Sequence, residues 1–367
     1  MAQDFDVIVV GGGVMGTSAA RWLTTRGRDT LLLERFQLGH VRGSSGGPTR
    51  IFRLTYDHPD YVRMARMALR EWRALEAEAG EPLMITTGGL DIGVDGRSSA
   101  EALAAAGEAY EYLSPEAVTE RWPAVRFPAG TEIFVQEDGG VCMAERTVRA
   151  QARLAAGGGA TILEETAVER LTATGTGVEV ITAAETYRAP VAVVTAGPWA
   201  GPLLREAGIE LPLSASFEQV TYFTLEEPSP LPTIIDWDVD PPRTPYTVPN
   251  PEEPGSFKIA LHMSGPTVDP DRRSFDPDPE RVERVTAYAA VRFAAHHAEG
   301  GTDTCLYTNT PDEHFVLDRS GPVVIGSPCS GHGFKFAPFV GRVLADLATA
   351  QPAPLPIERF LTARFAR

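Results

Sequence analysis

The chain has 367 residues, 43% hydrophobic and 22% charged, an ordinary globular balance with length enough for two domains. A formal net charge of −16 argues against nucleic acid or an anionic membrane as partner, and any anionic substrate needs a local basic site. No apolar run approaches the roughly 20 residues of a membrane span, and the N-terminal pattern is not that of a signal peptide, so a cytoplasmic location is expected.

Asp6 to Val10 is a short β-branched run, the composition of a buried parallel strand. Gly11, Gly13 and Gly16 follow at GxGxxG spacing, and Thr17 to Leu23 continues as a small-residue helix. Gly11 suits a tight turn, Gly13 a close approach of backbone N–H groups to a pyrophosphate, and Gly16 the packing of helix on strand. The helix N-terminus would face phosphates with its positive end. A second strand, Leu31 to Leu33, ends on Glu34, placed to accept hydrogen bonds from an adenosine ribose. An acid there fits NAD or FAD and disfavours NADP, without choosing between the first two.

The Phe36–Thr49 loop, rich in Gly and Ser, emerges where α/β sheets bind ligands. Tyr61 to Ala79 reads as an amphipathic helix. Short strands follow at Gly89 to Val94 and Glu132 to Gln136, with a helix start at Pro115 between them. Glu145 to Ala156 is helical. Gly177 to Thr182 and Val191 to Thr195 are strands, the second running into a strand-to-helix turn at Ala196-Gly197-Pro198-Trp199. Phe217 to Leu225 and Ser256 to His262 alternate as strands, Asp276 to His297 reads as a helix, Val323 to Ile325 as a buried strand and Phe339 to Ala350 as a closing helix. α/β pieces at the start, middle and end enclose β-rich segments, which suggests two domains interleaved in sequence.

Period two puts Lys258, Ala260 and His262 on one face of their strand, and Cys305 with Tyr307 on one face of theirs. A plain antiparallel sheet with one wet face also explains that pattern. Gly331 and Gly333 around His332 permit a tight backbone nest, although an ordinary loop with a snorkelling Lys335 fits too. Cys142, Cys305 and Cys329 are too few and scattered for a disulfide framework, and no metal site is expected.

Five segments together resemble one family. They are Val10 to Gly16, Gly43 to Arg53, Phe257 to His262, Cys305 to Tyr307 with Pro311 to Phe315, and Ser330 to Phe336. In order and content they are similar to the monomeric sarcosine oxidase and N-methyltryptophan oxidase family of FAD-dependent amine oxidases. The resemblance implies an α/β (overall α+β) fold, like that of D-amino acid oxidase. A discontinuous Rossmann-type FAD-binding domain (residues 1–83, 145–212 and 312–367) would interleave with a mostly antiparallel substrate domain (84–144 and 213–311). It implies FAD, covalent through an 8α thioether to Cys305, and cofactor contacts from Gly11, Gly13, Val14, Met15, Gly16, Glu34, Arg35, Ser44, Arg50, Val168, Ala196, Gly197, Trp199, Gly331, Gly333, Phe334 and Lys335. Arg53 and Lys335 match the pair that holds a substrate carboxylate, and Lys258 the lysine that promotes reaction with O2. His262, Tyr307 and Tyr246 match pocket residues. Two departures stand out: Gly46 replaces a usual histidine, and Pro241 to Gly255 fits only with a gap.

The expected activity is oxidation of the C–N bond of a secondary or cyclic amino acid, with O2 reduced to hydrogen peroxide by a monomer. Alternatives are a flavin dehydrogenase or biosynthetic imino-acid oxidase of the same fold, an NAD-dependent dehydrogenase, and a non-catalytic dinucleotide-binding regulator.

Overall fold

Val7–Val10 is buried along its whole length, inside a six-stranded sheet. The order across the sheet is Thr161–Leu163, Thr30–Leu33, Val7–Val10, Val191–Val194, Val323–Ser327, Val316–Ser320. Every pairing is parallel except the last, at the edge. Strands covered on both faces need apolar side chains throughout, which is why these segments read as unbroken Val, Ile and Leu runs. The structure, a computed structural model, describes residues 3–93, 95–239, 244–298 and 301–366.

Helix Val14–Thr25 leaves the first strand and packs against helices Ala144–Gly157 and Ala337–Ala348. The approach is close enough that a Cβ at Gly341 would sit 2.1 Å from Ser18 Oγ. A four-stranded sheet (Gln3–Asp4, Thr186–Ala189, Gly177–Thr182, Val168–Thr174) flanks this layer.

The largest sheet has nine strands. Its path runs His296–His297, Ser214–Leu225, Ser256–Leu261, Pro245–Pro249, Thr233–Asp236, Gly89–Ile92, Ile133–Gln136, Glu111–Leu113, and Thr302–Asn309 also pairs with Ser214–Leu225. Only the Thr233–Asp236 and Gly89–Ile92 pair is parallel. A small sheet of Thr49–Phe52, Gly140–Met143 and Met84–Thr86 completes the molecule.

The interleaving read from the sequence is therefore present in the sheets. The expected helix from Asp276 to His297 is shorter than predicted, spanning Pro279–Arg292. Asp278 caps its start by accepting from Glu280 N, and Phe293 turns extended (φ −119°, ψ 154°) to bury its ring. His296–His297 then adds to the sheet edge beside Thr224 and Leu225. The strand at Gly89 ends at Ile92, and Val94 lies outside the described residues. The one-wet-face reading also fails: Lys258 is 4% and Ala260 2% exposed, because that face forms a cavity wall.

Asp236, fully buried, accepts from Arg292 Nε (2.8 Å) and Tyr288 Oη (3.2 Å), tying the helix to the sheet. Removing one partner of such a pair strands the other charge in a dry site. Asp236→Ala should cost about 3–5 kcal/mol in stability, read as a lowered urea midpoint.

Candidate active site

Two cavities lie side by side, sharing part of their walls. The first, of about 550 Å³, opens at the C-terminal ends of the parallel strands, where α/β sheets bind ligands. Of the residues expected to touch the cofactor, Gly11, Gly13, Val14, Met15, Glu34, Arg35, Ser44, Arg50, Val168, Ala196, Gly197, Trp199, Gly331, Gly333 and Phe334 all line it. Gly11 sits at φ +102°, which L side chains rarely adopt. Gly16 is not on the cavity wall. Its Cβ would lie 1.8 Å from the Gly11 carbonyl oxygen, so its part is packing the helix onto the turn. Glu34 is only 4% exposed, and its two oxygens accept from Gly12 N (2.7 Å) and Phe36 N (2.8 Å). These bonds fix the carboxylate at the cavity wall while leaving lone pairs for a ribose.

The second cavity, of about 290 Å³, holds every predicted catalytic side chain: Arg53, Lys335, Lys258, His262, Tyr307 and Tyr246. It also holds Cys305, and Lys335, expected to touch the cofactor as well as a carboxylate, lines this cavity and not the first. Ser44, Arg50, Tyr307, Gly331 and Phe334 line both cavities and mark their junction. Arg50 is held there by donating to the carbonyls of Thr49 (2.8 Å), Ser44 (3.0 Å) and Gly46 (2.5 Å). Gly331, at φ +75°, passes so close to Tyr307 that a Cβ would lie 2.3 Å from its ring.

Strand pairing explains why distant residues meet here. Register sets Lys258 beside Tyr222 on one side and Val248 on the other, and Tyr246 beside Ala260. Tyr246 and Tyr307 then place their hydroxyls 3.4 Å apart. Asp240–Arg243, which includes part of the poorly fitting segment, lies outside the described residues.

Arg53 is 3.3 Å from Asp91 Oδ1, an acid on the Gly89–Ile92 strand that sequence reasoning missed. Its signal was a lone Asp between Leu90 and Ile92, both buried. The nearer acid in sequence, Asp57, is not the partner the structure gives Arg53. Trp237 Nε1 also donates to Asp91 Oδ1 (3.3 Å), and the Arg53 guanidinium lies over the rings of Tyr56 (4.6 Å) and Trp237 (5.7 Å). Lys335 Nζ donates to Tyr56 Oη (3.0 Å) and the His332 carbonyl (2.8 Å). Trp72 Nε1 holds the Lys335 backbone by donating to its carbonyl at 2.7 Å.

Burial dominates the electrostatics. It pulls both Lys335 and Lys258 well below the ordinary lysine range, assisted by Arg53 and Arg50 respectively. Burial, with Arg53 and Lys335 adding repulsion, draws His262 down to about 4. It pushes Tyr246 up to about 12 and raises the Cys305 thiol, against the pull of Arg50. Lys258 Nζ donates to the Thr49 carbonyl at 2.7 Å.

The FAD dependent oxidoreductase family matches residues 6–347. The chain belongs to this family. It is 35% identical to peroxisomal sarcosine oxidase from Mus musculus, over 99% of this chain and 96% of that protein. It is 34% identical to monomeric sarcosine oxidase from Bacillus sp. (strain B-0618), over 95% and 93%. Among solved structures it resembles NikD, described as an unusual amino acid oxidase essential for nikkomycin biosynthesis, with TM-score 0.89, 28% identity and 98% of each chain covered.

FAD, not NAD, is thus the dinucleotide of this flavoenzyme, and the residues present fit it. The glycine turn leaves backbone N–H groups at a helix start whose cap residue, Gly13, offers no side chain in competition. Ser45, within the Gly43 to Arg53 segment but not singled out as a site residue, accepts from Val14 N (3.1 Å) at the same place. One family position differs physically. A Cβ at Gly46 would meet the His40 carbonyl oxygen at 2.6 Å, so no side chain enters there unless that backbone moves. Cys142 is a buried core residue, and Cys329 Sγ accepts from Thr308 N. No helix among the described residues is long and apolar enough to cross a membrane.

His262 supplies a pH prediction. The unfolded chain takes up a proton near the ordinary histidine value of 6.5, and the folded site resists until about 4. Stability attributable to this residue is therefore whole above pH 6.5 and falls between 6.5 and 4, by on the order of 3 kcal/mol. His262→Asn should flatten that part of the stability–pH curve, measured by denaturant midpoints.

Proposed function

We propose that this flavoenzyme oxidises the C–N bond of a secondary (N-methyl) or cyclic amino acid to an imine and passes the electrons to O2, giving hydrogen peroxide. The observation that carries the reading is the pair of desolvated basic side chains, Arg53 and Lys335, in a cavity that joins the dinucleotide cavity and also holds Lys258 and Cys305. On a chain of net charge −16, such a pair favours a bound carboxylate. The sarcosine oxidase relatives support the substrate class.

In this reading Arg53 grips the carboxylate with its planar fork while Asp91 and the Trp237 face keep the guanidinium in place. Fixing the carboxylate fixes the adjoining carbon and nitrogen, an orientation effect. Tyr246, Tyr307 and His262 surround that position, and His262 stays neutral so that it adds no repulsion to an amine. Bound FAD supplies the two-electron oxidation. Lys258 faces the anion that develops when O2 accepts an electron, and that anion favours the protonated form of Nζ which burial otherwise disfavours. Cys305 is the covalent attachment point. The partition into residues 1–83, 145–212 and 312–367 for cofactor and 84–144 and 213–311 for substrate belongs to the same reading, as does action as a monomer.

The test is anaerobic mixing with a panel of N-methyl and cyclic amino acids. At least one should bleach the flavin, and admitted air should restore the colour with one hydrogen peroxide per turnover. If the panel bleaches flavin but air does not restore it, the acceptor is not O2. Lys258→Met should slow recolouring by air far more than bleaching by substrate, because only reoxidation builds an anion there. Acid precipitation should leave the yellow colour in the pellet for the parent protein and release it for Cys305→Ser, which keeps the shape but lacks the thiolate.

A further inference from the structure

Lys258 and Lys335 are the only two lysines in the sequence; every other basic side chain among its 33 Lys and Arg residues is arginine. Both lysines line the second cavity, at 4% and 5% exposure. Arginine keeps its proton under all ordinary conditions, whereas a buried amine can give its proton up. Lysine is thus used in this chain only where a reversible proton is chemically possible.

The hydrogen bonds around Lys335 fix which way its protons point. His332 Nε2 lies 3.2 Å from the Glu313 carbonyl, which can only accept, so Nε2 carries the hydrogen. Burial keeps His332 neutral, so Nδ1 is an acceptor, and Tyr56 Oη, 3.3 Å away, donates to it. Tyr56 has then used its one hydrogen and can only accept from Lys335. Nζ gives a second hydrogen to the His332 carbonyl. Both partners are neutral, and among the described residues Lys335 makes no ion pair. An uncharged amine with two hydrogens so committed has one tetrahedral position left, and that position carries its lone pair. The groups around it are the Arg53 guanidinium, Asp91 (bonded to Arg53), the imidazoles of His262 and His332, and the thiol of Cys142.

We propose that Lys335 is the proton acceptor for the substrate's own ammonium group. This rests on the reading of the cavity as an amino acid site. An amino acid arrives as a zwitterion, and its nitrogen must be neutral before the adjoining carbon can lose a hydride equivalent. As the carboxylate seats against Arg53, one N–H bond of the ammonium breaks and one N–H bond forms at Nζ. The electron pair of the broken bond stays on the substrate nitrogen, and total charge is unchanged. The transfer leaves a neutral amine and, next to the carboxylate, a newly made ammonium. One carbon separates nitrogen and carboxylate in an α-amino acid, so a single Nζ can reach both. No proton has to leave the cavity.

The test measures protons exchanged with solvent when the holoenzyme binds two unreactive acids of matched shape. Isobutyrate has no amine; 2-aminoisobutyrate has an ammonium but no hydrogen on its α-carbon. Binding is followed by perturbation of the flavin spectrum, and protons by an indicator dye at pH 8 in weak buffer. Isobutyrate should draw close to one proton per site from solvent, and 2-aminoisobutyrate close to none. Uptake with isobutyrate should persist in His262→Asn and Lys258→Met and vanish in Lys335→Met. In the parent protein labelled with ε-¹³C lysine, one of only two lysine signals should move from the amine to the ammonium position on adding either acid. If the acids bind with no proton uptake and no shift of that signal, Lys335 is already charged in the free site and the proposal fails. If uptake survives Lys335→Met, another group is the acceptor and it also fails. If neither acid perturbs the flavin, the amino acid site itself is misassigned.

Discussion

Positive charge held away from water is the constraint the rest of this molecule must accommodate. Burying an ammonium or guanidinium costs several kcal/mol unless hydrogen bonds or counter-charges offset it. Arg53 meets the demand with Asp91, which comes from another strand, and with two aromatic faces. Lys335 meets it by shedding charge, which burial and the neighbouring Arg53 encourage. The supporting shell follows from this. Tyr56, His332 and the Glu313 carbonyl form a chain of bonds behind Lys335 Nζ, and Trp72 pins the Lys335 backbone. Outside, the chain carries excess acid and uses arginine for its surface pairs.

The nucleotide end of this arrangement was legible in the sequence because backbone geometry dictates it. A turn at φ +102° and a helix packed within 1.8 Å of where a side chain would begin admit little but glycine, so the motif survives in the letters. Parallel strands buried on both faces are equally plain, since nothing but apolar residues suits them. The candidate catalytic side chains emerged from a resemblance, and the structure brings them to one cavity. The alternation at Lys258 and His262 alone was ambiguous: a wet face and a cavity wall show the same period. What decides is a second layer, and no local pattern records that.

Asp91 shows the other limit. Its role depends on Gly89–Ile92 lying parallel to Thr233–Asp236, which carries Trp237 at its end, and on both lying near Arg53. Those are relations between segments far apart in the chain. The overlong helix ending at His297 fails for a similar reason. Helical spacing continues past Arg292, but Phe293 gains more by entering the core than by extending a turn, and tertiary packing overrides propensity.

The interleaved topology has a consequence for the order in which the molecule can be made. Val323–Ser327 is the partner that completes one side of Val191–Val194, and Ala337–Ala348 covers the helix that begins at the glycine turn. Both lie far downstream in the chain of the elements they complete. The early segments can form their parallel pairs as they emerge, but they wait with an open edge and an uncovered helix until these downstream elements are made. Lys335 lies between those two late elements. The cofactor's nest can begin to assemble early, whereas the proposed proton acceptor arrives only with that downstream stretch, so a nascent chain cannot turn over substrate before the stretch is made.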